Sequence, residues 1–441
     1  MSVLWNLPNG KEGDFVGLEI FERGRLPRWL PVRQTLYTEE VGDVAEAVAE
    51  ALQAPFVAEA IPEGARVALA VGSRGIDRLA EVVAATVAEL RRMGAEPFIV
   101  PAMGSHGGAT AEGQKQLLGQ LGVTEEAVGA PIRSSMETVL LGEVEGDVPV
   151  YFDRIAATEA DVVIPINRVK PHTDFHGPVE SGLIKMIAIG LGKQKGADVF
   201  HRRGFHTFNT LLPAVARLSV QKINIPFGIA LVESGRSRLA KIEAVPAKQM
   251  YEREQELIKL AREWLPRLPG KALDVLIIDR IGKDISGIGA DTNVVNRYYD
   301  GPLPYEPSIQ RIIIRDLTDD TEGNASGLGL GDVVLRRAVE KMDPLATYMN
   351  CVTAKTPEGA RIPLTVDNDR QALFIAIACC LQVTPETARI ARIQDTKHLE
   401  TLWVSEPWWE AELKALASLE PLAEPTEITF DADGMFVDGN A

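Results

Sequence analysis

Histidines are concentrated in one glycine-rich stretch, residues 164–208, where they could perform acid/base or metal chemistry. The stretch holds four of the chain's six histidines, His172, His176, His201 and His206. Glycine, proline or a charge interrupts its apolar pattern every few residues, which is typical of functional loops rather than of core. Imidazole exchanges protons near neutral pH and also binds transition metals. We therefore expect the chemistry of this protein to involve this stretch.

One lysine, Lys185, stands in an apolar run that contains Leu183, Ile184, Met186 and Ile187. Burial removes water from an amine, lowers its pKa and makes it a nucleophile at neutral pH. The alternative is a lysine whose ammonium group reaches solvent from an otherwise buried helix. The residues alone leave both interpretations open.

Two earlier loops carry an arginine and a further histidine. Arg74 lies in a glycine turn after a strand predicted at residues 66–71, and His106 lies among glycines after a strand predicted at 95–101. Arginine suits a carboxylate because it donates two parallel hydrogen bonds and is always charged. Histidines on different loops, such as His106 and His172, could exchange a proton on either face of one substrate carbon. Racemisation of a hydroxy or amino acid has this requirement.

Strand, glycine-rich loop and helix follow one another twice in this region, which is typical of a parallel α/β sheet. A further strand is predicted at residues 161–167. Pro171 disfavours helical backbone at Lys170, so we expect His172 on a loop at the carboxyl end of that strand. Open α/β sheets bind their ligands at this end.

The fold class predicted for the whole chain is α/β, with two α/β domains of mainly parallel sheets and a cleft between them. A proline-containing segment around residues 266–270 is the predicted hinge. The first domain, residues 1–266, would carry the cofactor and the acid/base residues. The second, residues 271–441, would close the substrate cleft, with its tryptophan-containing tail packing back.

Composition limits the classes of partner. The formal net charge of −16 argues against nucleic acid or an anionic membrane surface as partner. Three cysteines without metal-type spacing fit a reducing cytoplasm. The sequence starts without a signal-peptide pattern and has no apolar run long enough to span a bilayer. We expect a cytoplasmic protein that binds a small molecule, and the sequence leaves its oligomeric state open.

Taken together, five positions resemble the nickel-dependent lactate racemase family. They are Arg74, the His106 of Gly-Ser-His-Gly, the His172 of Pro-His, the Lys185 of Ser-Gly-x-x-Lys, and His201, in that order and approximate spacing. Members of this family use a nickel pincer nucleotide, which is a pyridinium mononucleotide that bears two sulfurs.

The resemblance implies a role for each position. Lys185 would form a thioamide with the cofactor, and His201 would bind nickel beside two sulfurs and one ring carbon. His106 and His172 would be the paired acid and base, and Arg74 would hold the substrate. The implied activity is racemisation or epimerisation of a 2-hydroxy acid by hydride abstraction and return. Proteins that make the cofactor are implied as partners.

The sequence departs from the family at substrate-facing positions. Val71 stands where the family has an acidic residue, three positions before the arginine, and Asn296 stands where it has a glutamine. Arg297 or Lys283 would replace a lysine that follows in the family. These departures favour a 2-hydroxy acid other than lactate, such as a larger or more polar one, and leave the reaction type unchanged.

Two other functional classes stay open at this point. A zinc hydrolase could use His172, His176 and His201, although the chain has no HExxH run to supply a base on a helix. A non-catalytic protein could bind an organic acid or a nucleotide cofactor. In the leading interpretation His176 is a supporting residue, and His206 either orients His201 or is exposed.

Overall fold

A computed structural model describes residues 18–73, 75–299 and 301–437. The chain forms two compact units, each with its own main sheet. One unit is Leu36–Leu265, and the other joins the described residues before Leu36 to those from Pro266 onward. In the described ranges, no helix is both long and apolar enough to cross a membrane.

The strands are numbered here along the chain. They are β1 (Arg28–Gln34), β2 (Arg66–Val71), β3 (Glu96–Pro101), β4 (Thr138–Val144), β5 (Val148–Asp153), β6 (Val162–Arg168), β7 (Phe227–Glu233), β8 (Leu239–Pro246), β9 (Ala272–Ile278), β10 (Arg297–Tyr298), β11 (Gly301–Pro302), β12 (Ser308–Ile314), β13 (Val333–Leu335), β14 (Leu364–Val366), β15 (Ile390–Ile393), β16 (Thr401–Ser405), β17 (Leu419–Pro421) and β18 (Thr426–Glu427).

The helices are numbered in the same way. They are α1 (Val44–Leu52), α2 (Pro55–Ala60), α3 (Leu79–Arg92), α4 (Ala111–Gln120), α5 (Glu125–Val128), α6 (Arg154–Glu159), α7 (Leu183–Lys185), α8 (Lys193–Arg203), α9 (Phe208–Lys222), α10 (Met250–Trp264), α11 (Thr292–Val295), α12 (Arg336–Glu340), α13 (Pro344–Ala354), α14 (Asp369–Ala378) and α15 (Glu406–Ala411). A π-helical turn, Met186–Gly190, follows α7 directly.

The sheet of the Leu36–Leu265 unit has the order β3-β2-β6-β7-β8. Its first four strands are parallel, and β8 pairs antiparallel with β7. Along β2, Val67 and Leu69 pack in one hydrophobic cluster, whereas Ala68 and Ala70 face another. Both faces of the strand are covered, which explains why its sequence is apolar throughout rather than alternating.

The sheet of the second unit has the order β14-β13-β12-β9-β15-β16-β1-β17, and β18 also pairs with β1. The strands from β14 to β15 are parallel, and the remainder pair antiparallel. Each unit therefore combines a mainly parallel sheet with helices. This confirms the predicted α/β fold class, while the cleft between the units stays a prediction.

Residues 28–34 differ from the domain assignment made on sequence. That assignment placed them in the first domain, but β1 pairs with β16 and with β17 in the second unit. Trp29 and Leu30 are buried there, at 4% and 1% exposure. The pairing joins segments about 370 residues apart, and such long-range partners leave no local signal in the sequence.

The pairing of β1 predicts where a core mutation at its centre will act. Leu30→Ala should destabilise the second unit by roughly 2–5 kcal/mol, because it leaves a cavity beside that sheet. Amide hydrogen exchange should then accelerate in β9 and stay unchanged in β2. The matched variant Leu69→Ala should accelerate exchange in β2 and leave β9 unchanged. Faster exchange of β2 in Leu30→Ala would contradict the placement of β1 in the second unit.

Candidate active site

The carboxyl ends of β2, β3 and β6 lie side by side, because these strands are parallel neighbours in one sheet. The loops that follow them hold Ser73, His106 and His172, respectively. This edge is where open α/β sheets bind ligands. The fold therefore places both predicted acid/base residues at this edge of the sheet, His106 after β3 and His172 after β6, on either side of the end of β2.

A single segment, Gly182–Gly190, contacts all three strand ends and is called the crossing segment below. The Asn167 amide at the end of β6 donates from Nδ2 to the Gly182 carbonyl at 2.8 Å. The Gly104 amide in the loop after β3 donates to the Gly190 carbonyl at 3.1 Å. The crossing segment contains α7, which ends at Lys185, and the π-helical turn, a feature that often marks functional sites.

Glycines allow the strand-end loops to approach the crossing segment at backbone distance. A Cβ on Gly72 would lie 3.1 Å from Cε of Met186, the residue after Lys185. A Cβ on Gly190 would lie 2.6 Å from the carbonyl oxygen of Ala102, which is shorter than any normal contact. The backbone around Lys185 is therefore held by close packing, in which Gly190 meets a backbone carbonyl and Gly72 meets the Met186 side chain.

His106 is exposed, and its Nδ1 atom forms a hydrogen bond with the Ser73 hydroxyl. The hydroxyl can donate or accept, so it can satisfy this nitrogen in either protonation state of the ring. This hydrogen bond fixes the orientation of the His106 ring. The sequence predicts the turn that holds Ser73 but indicates no role for this residue.

His172 is mostly buried, with 12% of its side chain exposed. Its Nδ1 atom accepts a hydrogen bond from the Asp174 amide at 3.0 Å. The Asp174 carboxylate also lies near this atom, with Oδ2 3.4 Å from Nδ1, so Asp174 can accept from a protonated Nδ1 as well as donate to an unprotonated one. The ring also packs against Phe175, with 4.5 Å between centroids.

Glu180 is fully buried and holds the loop that carries His172. Its carboxylate accepts hydrogen bonds from the His172 amide at 2.5 Å and the Gly177 amide at 3.1 Å. It also pairs with the Arg262 guanidinium and lies 3.4 Å from His176 Nδ1. Burial raises the pKa of Glu180, but these partners outweigh burial and lower that pKa overall. Glu180 is therefore an ionised anchor for the loop.

Three phenylalanines, Phe175, Phe205 and Phe208, form an aromatic cluster beside Lys185 and His201. Phe208 packs against Phe175 and Phe205, each at 5.0 Å between centroids. The half-buried Lys185 places Nζ 5.6 Å from the Phe175 centroid. The His201 ring lies 5.9 Å from Phe205 and 6.1 Å from Phe208. The predicted amine and imidazole thus adjoin the same apolar cluster.

The loop that carries His106 packs on the helix that carries His201. A Cβ on Gly104 would lie 3.5 Å from the Ala197 side chain and 3.5 Å from the Ile189 side chain. Ala197 precedes His201 by four residues on α8, so the two share one helix face. Four of the five positions behind the family resemblance, His106, His172, Lys185 and His201, therefore adjoin one group of packed elements.

Helix α10 supports the crossing segment through a buried carboxyl group. Glu254 is 1% exposed, and its Oε2 atom accepts a hydrogen bond from the Ile184 amide at 3.0 Å. Burial raises its pKa to about 7, against the lowering effect of backbone hydrogen bonds from Ile184 and Leu183. A Cβ on Gly182 would collide with this carboxyl group at 2.4 Å. Glycine at position 182 is thus required for the contact.

No role was predicted from the sequence pattern for Glu254 or Arg262, which both lie on α10. A usable signal was present, because Glu254 falls on the same stripe as Met250, Leu257 and Ile258, which are all buried. An acidic residue on an apolar helix face indicates a buried partner. No comparable local signal marks Glu180.

The predicted substrate residues of the second unit are engaged within that unit. Lys283 Nζ donates to the Asn350 side chain at 2.8 Å and also to the Gly287 carbonyl. Asn296 is buried in a left-handed backbone conformation, and its amide donates to the Pro307 carbonyl at 3.2 Å. These contacts order both side chains locally.

Arg297 lies near the amino ends of β12 and β13. Its guanidinium pairs with Asp332 at 2.5 Å and donates to the carbonyls of Ile309 and Gln310 at 3.1 and 2.9 Å. The loops at the carboxyl ends of these strands lie at the opposite edge of the sheet. Arg297 thus has a clear structural partner set, and its predicted role in substrate binding stays a prediction.

Arg74 lies outside the residues that the structure describes, so its predicted role stays a prediction. Within the described ranges, no three His, Cys, Asp or Glu side chains come together as they would around a metal ion. The grouping of His172, His176 and His201 that a zinc hydrolase would use is accordingly not formed there.

Comparison with known families identifies the part of the chain that carries this site. Residues 28–210 match the lactate racemase N-terminal domain. This segment belongs to the lactate racemase family. The resemblance inferred from Arg74, His106, His172, Lys185 and His201 is thereby confirmed, since all five positions lie inside the matched segment.

Two solved structures are similar to this chain, each at 14% identity. The lactate racemase apoprotein from Thermoanaerobacterium thermosaccharolyticum aligns over 82% of this chain and 94% of its own length, with a TM-score of 0.49. A Thermotoga maritima protein aligns over 64% of this chain and 72% of its own length, with a TM-score of 0.46. No curated protein matches the sequence.

The buried carboxyl group of Glu254 predicts a pH dependence of stability. Its pKa is about 7 in the folded chain against an ordinary value of 4.5. As the pH rises, the unfolded chain therefore releases this proton at a lower pH than the folded chain does. The free energy of unfolding should fall between about pH 4.5 and about pH 7. The loss should be on the order of 3 kcal/mol and should be complete above that window.

Urea unfolding of wild type and Glu254→Gln across this range checks the prediction, because glutamine accepts the same amide hydrogen bonds without titrating. The difference in unfolding free energy between the two proteins should grow with pH in favour of the variant. The exposed neighbour on the same helix, in Glu252→Gln, should show no such trend. Parallel pH profiles for wild type and Glu254→Gln would rule out a raised pKa at this site.

Proposed function

We propose that this protein is a racemase or epimerase of a 2-hydroxy acid that carries a covalently attached nickel pincer nucleotide. The observation that supports this best is the convergence described above. Lys185, His201 and His172 adjoin one aromatic cluster, and the loop of His106 packs on the helix that carries His201. The matched lactate racemase segment contains all four residues.

The residues fit the cofactor in their chemistry. The half-buried primary amine of Lys185 can form an amide-type bond, because an amine in its deprotonated form is a nucleophile. The His201 imidazole is a borderline ligand that suits nickel together with sulfur. When bound, the nickel pincer nucleotide would supply a centre that accepts a hydride from the substrate carbon and returns it.

The chain's own residues would handle the substrate proton. The Nδ1 atoms of His106 and His172 are engaged by Ser73 and by the Asp174 amide, respectively, so each ring would use Nε2 toward the substrate. In the proposed role, one imidazole takes the hydroxyl proton as the carbon loses its hydrogen. A proton is then given back when the hydrogen returns to the opposite face.

Substrate choice would rest on residues that differ from the family pattern. Arg74 would bind the substrate carboxylate, and Lys283, Asn296 or Arg297 would contribute from the second unit. We extend the proposal to a 2-hydroxy acid that is larger or more polar than lactate. The natural setting proposed is the cytoplasm, where the three free cysteines stay reduced and the cofactor-making proteins act as partners.

Removal of the Lys185 amine tests cofactor attachment. Lys185→Ala and Lys185→Arg should both lack the covalent adduct, because alanine has no amine and a guanidinium is a far weaker nucleophile. Intact-protein mass spectrometry of chains co-expressed with cofactor-making enzymes measures this. The exposed Lys222→Ala should keep the adduct. An adduct of normal mass on Lys185→Ala would show that another residue is the attachment point.

Separate loss of each proposed acid/base residue tests the proton roles. His106→Ala and His172→Ala should retain the adduct and nickel but lose turnover by roughly a hundredfold or more. The assay is loss of optical purity over a panel of 2-hydroxy acids, with nickel content measured on the same samples. The exposed His398→Ala serves as the control and should stay active. Loss of nickel from either variant would assign that histidine to the metal instead.

A further inference from the structure

A second lysine, Lys193, is buried completely. Its ammonium nitrogen contacts Asp153 Oδ2 at 2.9 Å, the Pro101 carbonyl at 2.5 Å and Gln114 Oε1 at 3.2 Å. All three are acceptors, and an ammonium group has three hydrogens to donate. The contacts therefore fit the charged form, with Asp153 as its counter-ion.

Lys193 also has an unfavourable backbone conformation. Its φ is +53°, a left-handed conformation that costs free energy for any residue other than glycine. Burial lowers the pKa of the amine, and the Asp153 charge opposes that shift. A buried ion pair of this kind adds little net stability compared with apolar side chains of the same volume. Stability alone therefore does not account for this pair, which favours a role in positioning.

Gln114 links this amine to the loop that carries His106. While its Oε1 atom accepts from Lys193, its Nε2 atom donates to the Gly104 carbonyl at 2.9 Å and to the His106 carbonyl at 3.3 Å. Gln114 is itself fully buried. The same loop is packed against the start of α4, since a Cβ on Gly107 would lie 2.6 Å from the Gln114 amide nitrogen.

Lys193 also begins α8, the helix that carries His201 two turns later. The amine thus connects three places: the end of β3 through Pro101, the His106 loop through Gln114, and the first turn of α8 through its own backbone. Two turns of α-helix are a rigid spacer of roughly 11 Å. The distance between the His106 loop and His201 is therefore set through a chain of buried hydrogen bonds.

We propose that Lys193 and Gln114 are positioning residues that hold His106 in a fixed place relative to His201. The proposal rests on the function proposed above, because His106 must meet a substrate beside the cofactor. Proton transfer depends steeply on the distance between the imidazole and the substrate oxygen, so a loose His106 loop would lower kcat more than it raises KM.

Two variants separate positioning from folding. Gln114→Met keeps the volume and the Lys193–Asp153 pair but removes both hydrogen bonds to the loop. Lys193→Met combined with Asp153→Asn removes the amine without leaving a buried charge, and the asparagine can still cap α6, as Asp153 does by accepting from Ala156. Lys195→Met is the matched control, since Lys195 is exposed on the same helix.

Amide hydrogen exchange on the chain without cofactor provides the first measurement. In both variants, exchange across residues 103–110 should be about five- to tenfold faster than in wild type, while exchange in β2 stays unchanged. The Lys195→Met control should match wild type in both segments. Unchanged exchange across residues 103–110 in both variants, with β2 still protected, would overturn the proposal.

Turnover of the cofactor-loaded protein provides the second measurement. Both variants should keep the adduct and nickel and lose about tenfold or more in kcat, with KM within about twofold of wild type. Full kcat in a variant whose loop exchanges faster would refute a positioning role. If wild-type protein racemises no hydroxy acid, the proposed function fails, whereas the exchange result still decides whether Lys193 and Gln114 hold this loop.

Discussion

The whole candidate site depends on the close packing of the crossing segment on three strand ends. Gly190 meets the Ala102 carbonyl at a distance that excludes even a methyl group, whereas the Gly72 backbone lies against the side chain of Met186. Backbone contacts have no rotamer freedom, so they fix the residues between them more closely than side-chain packing could. Lys185 lies between Gly182, whose carbonyl accepts a hydrogen bond from Asn167, and Gly190. Its place beside the aromatic cluster follows from the packing of glycine on carbonyl groups at the sheet edge.

Three segments form the site, and a buried ionisable group supports each of them. Glu180 holds the His172 loop, Glu254 holds the crossing segment, and Lys193 lies under the His106 loop. Burial of a charge is expensive unless hydrogen bonds satisfy it, and in a low-dielectric interior the satisfied bonds are strong and directional. Polar groups of this kind specify one arrangement of loops where apolar contacts would tolerate several. Glu180 forms an ion pair with Arg262 on helix α10, and Glu254 lies on the same helix. One helix therefore supports two of the three segments.

The second unit repeats the α/β plan but is completed by the start of the chain. Strand β1 pairs with β16 and buries Trp29, which packs against Trp403 at 5.0 Å between centroids. The segment that matches the lactate racemase N-terminal domain begins at residue 28, so it includes this strand. The matched segment therefore includes residues of both compact units. The side chains of Lys283 and Asn296, two of the residues proposed to contact the substrate, are ordered by partners inside the second unit.

The amino-acid sequence by itself determined the fold class, the parallel strand-loop-helix order and the identity of the residues that could do chemistry. Apolar periodicity and glycine position are local properties, so strands such as β2 and the loop of His172 could be read from short windows. Tertiary structure alone decided what those residues touch. The Ser73 partner of His106, the Glu180 anchor, the Lys193 contacts and the place of β1 all join segments between 8 and about 370 residues apart. Such pairs are selected by packing and by the need to satisfy buried polar groups, and neither requirement is visible until the chain is folded.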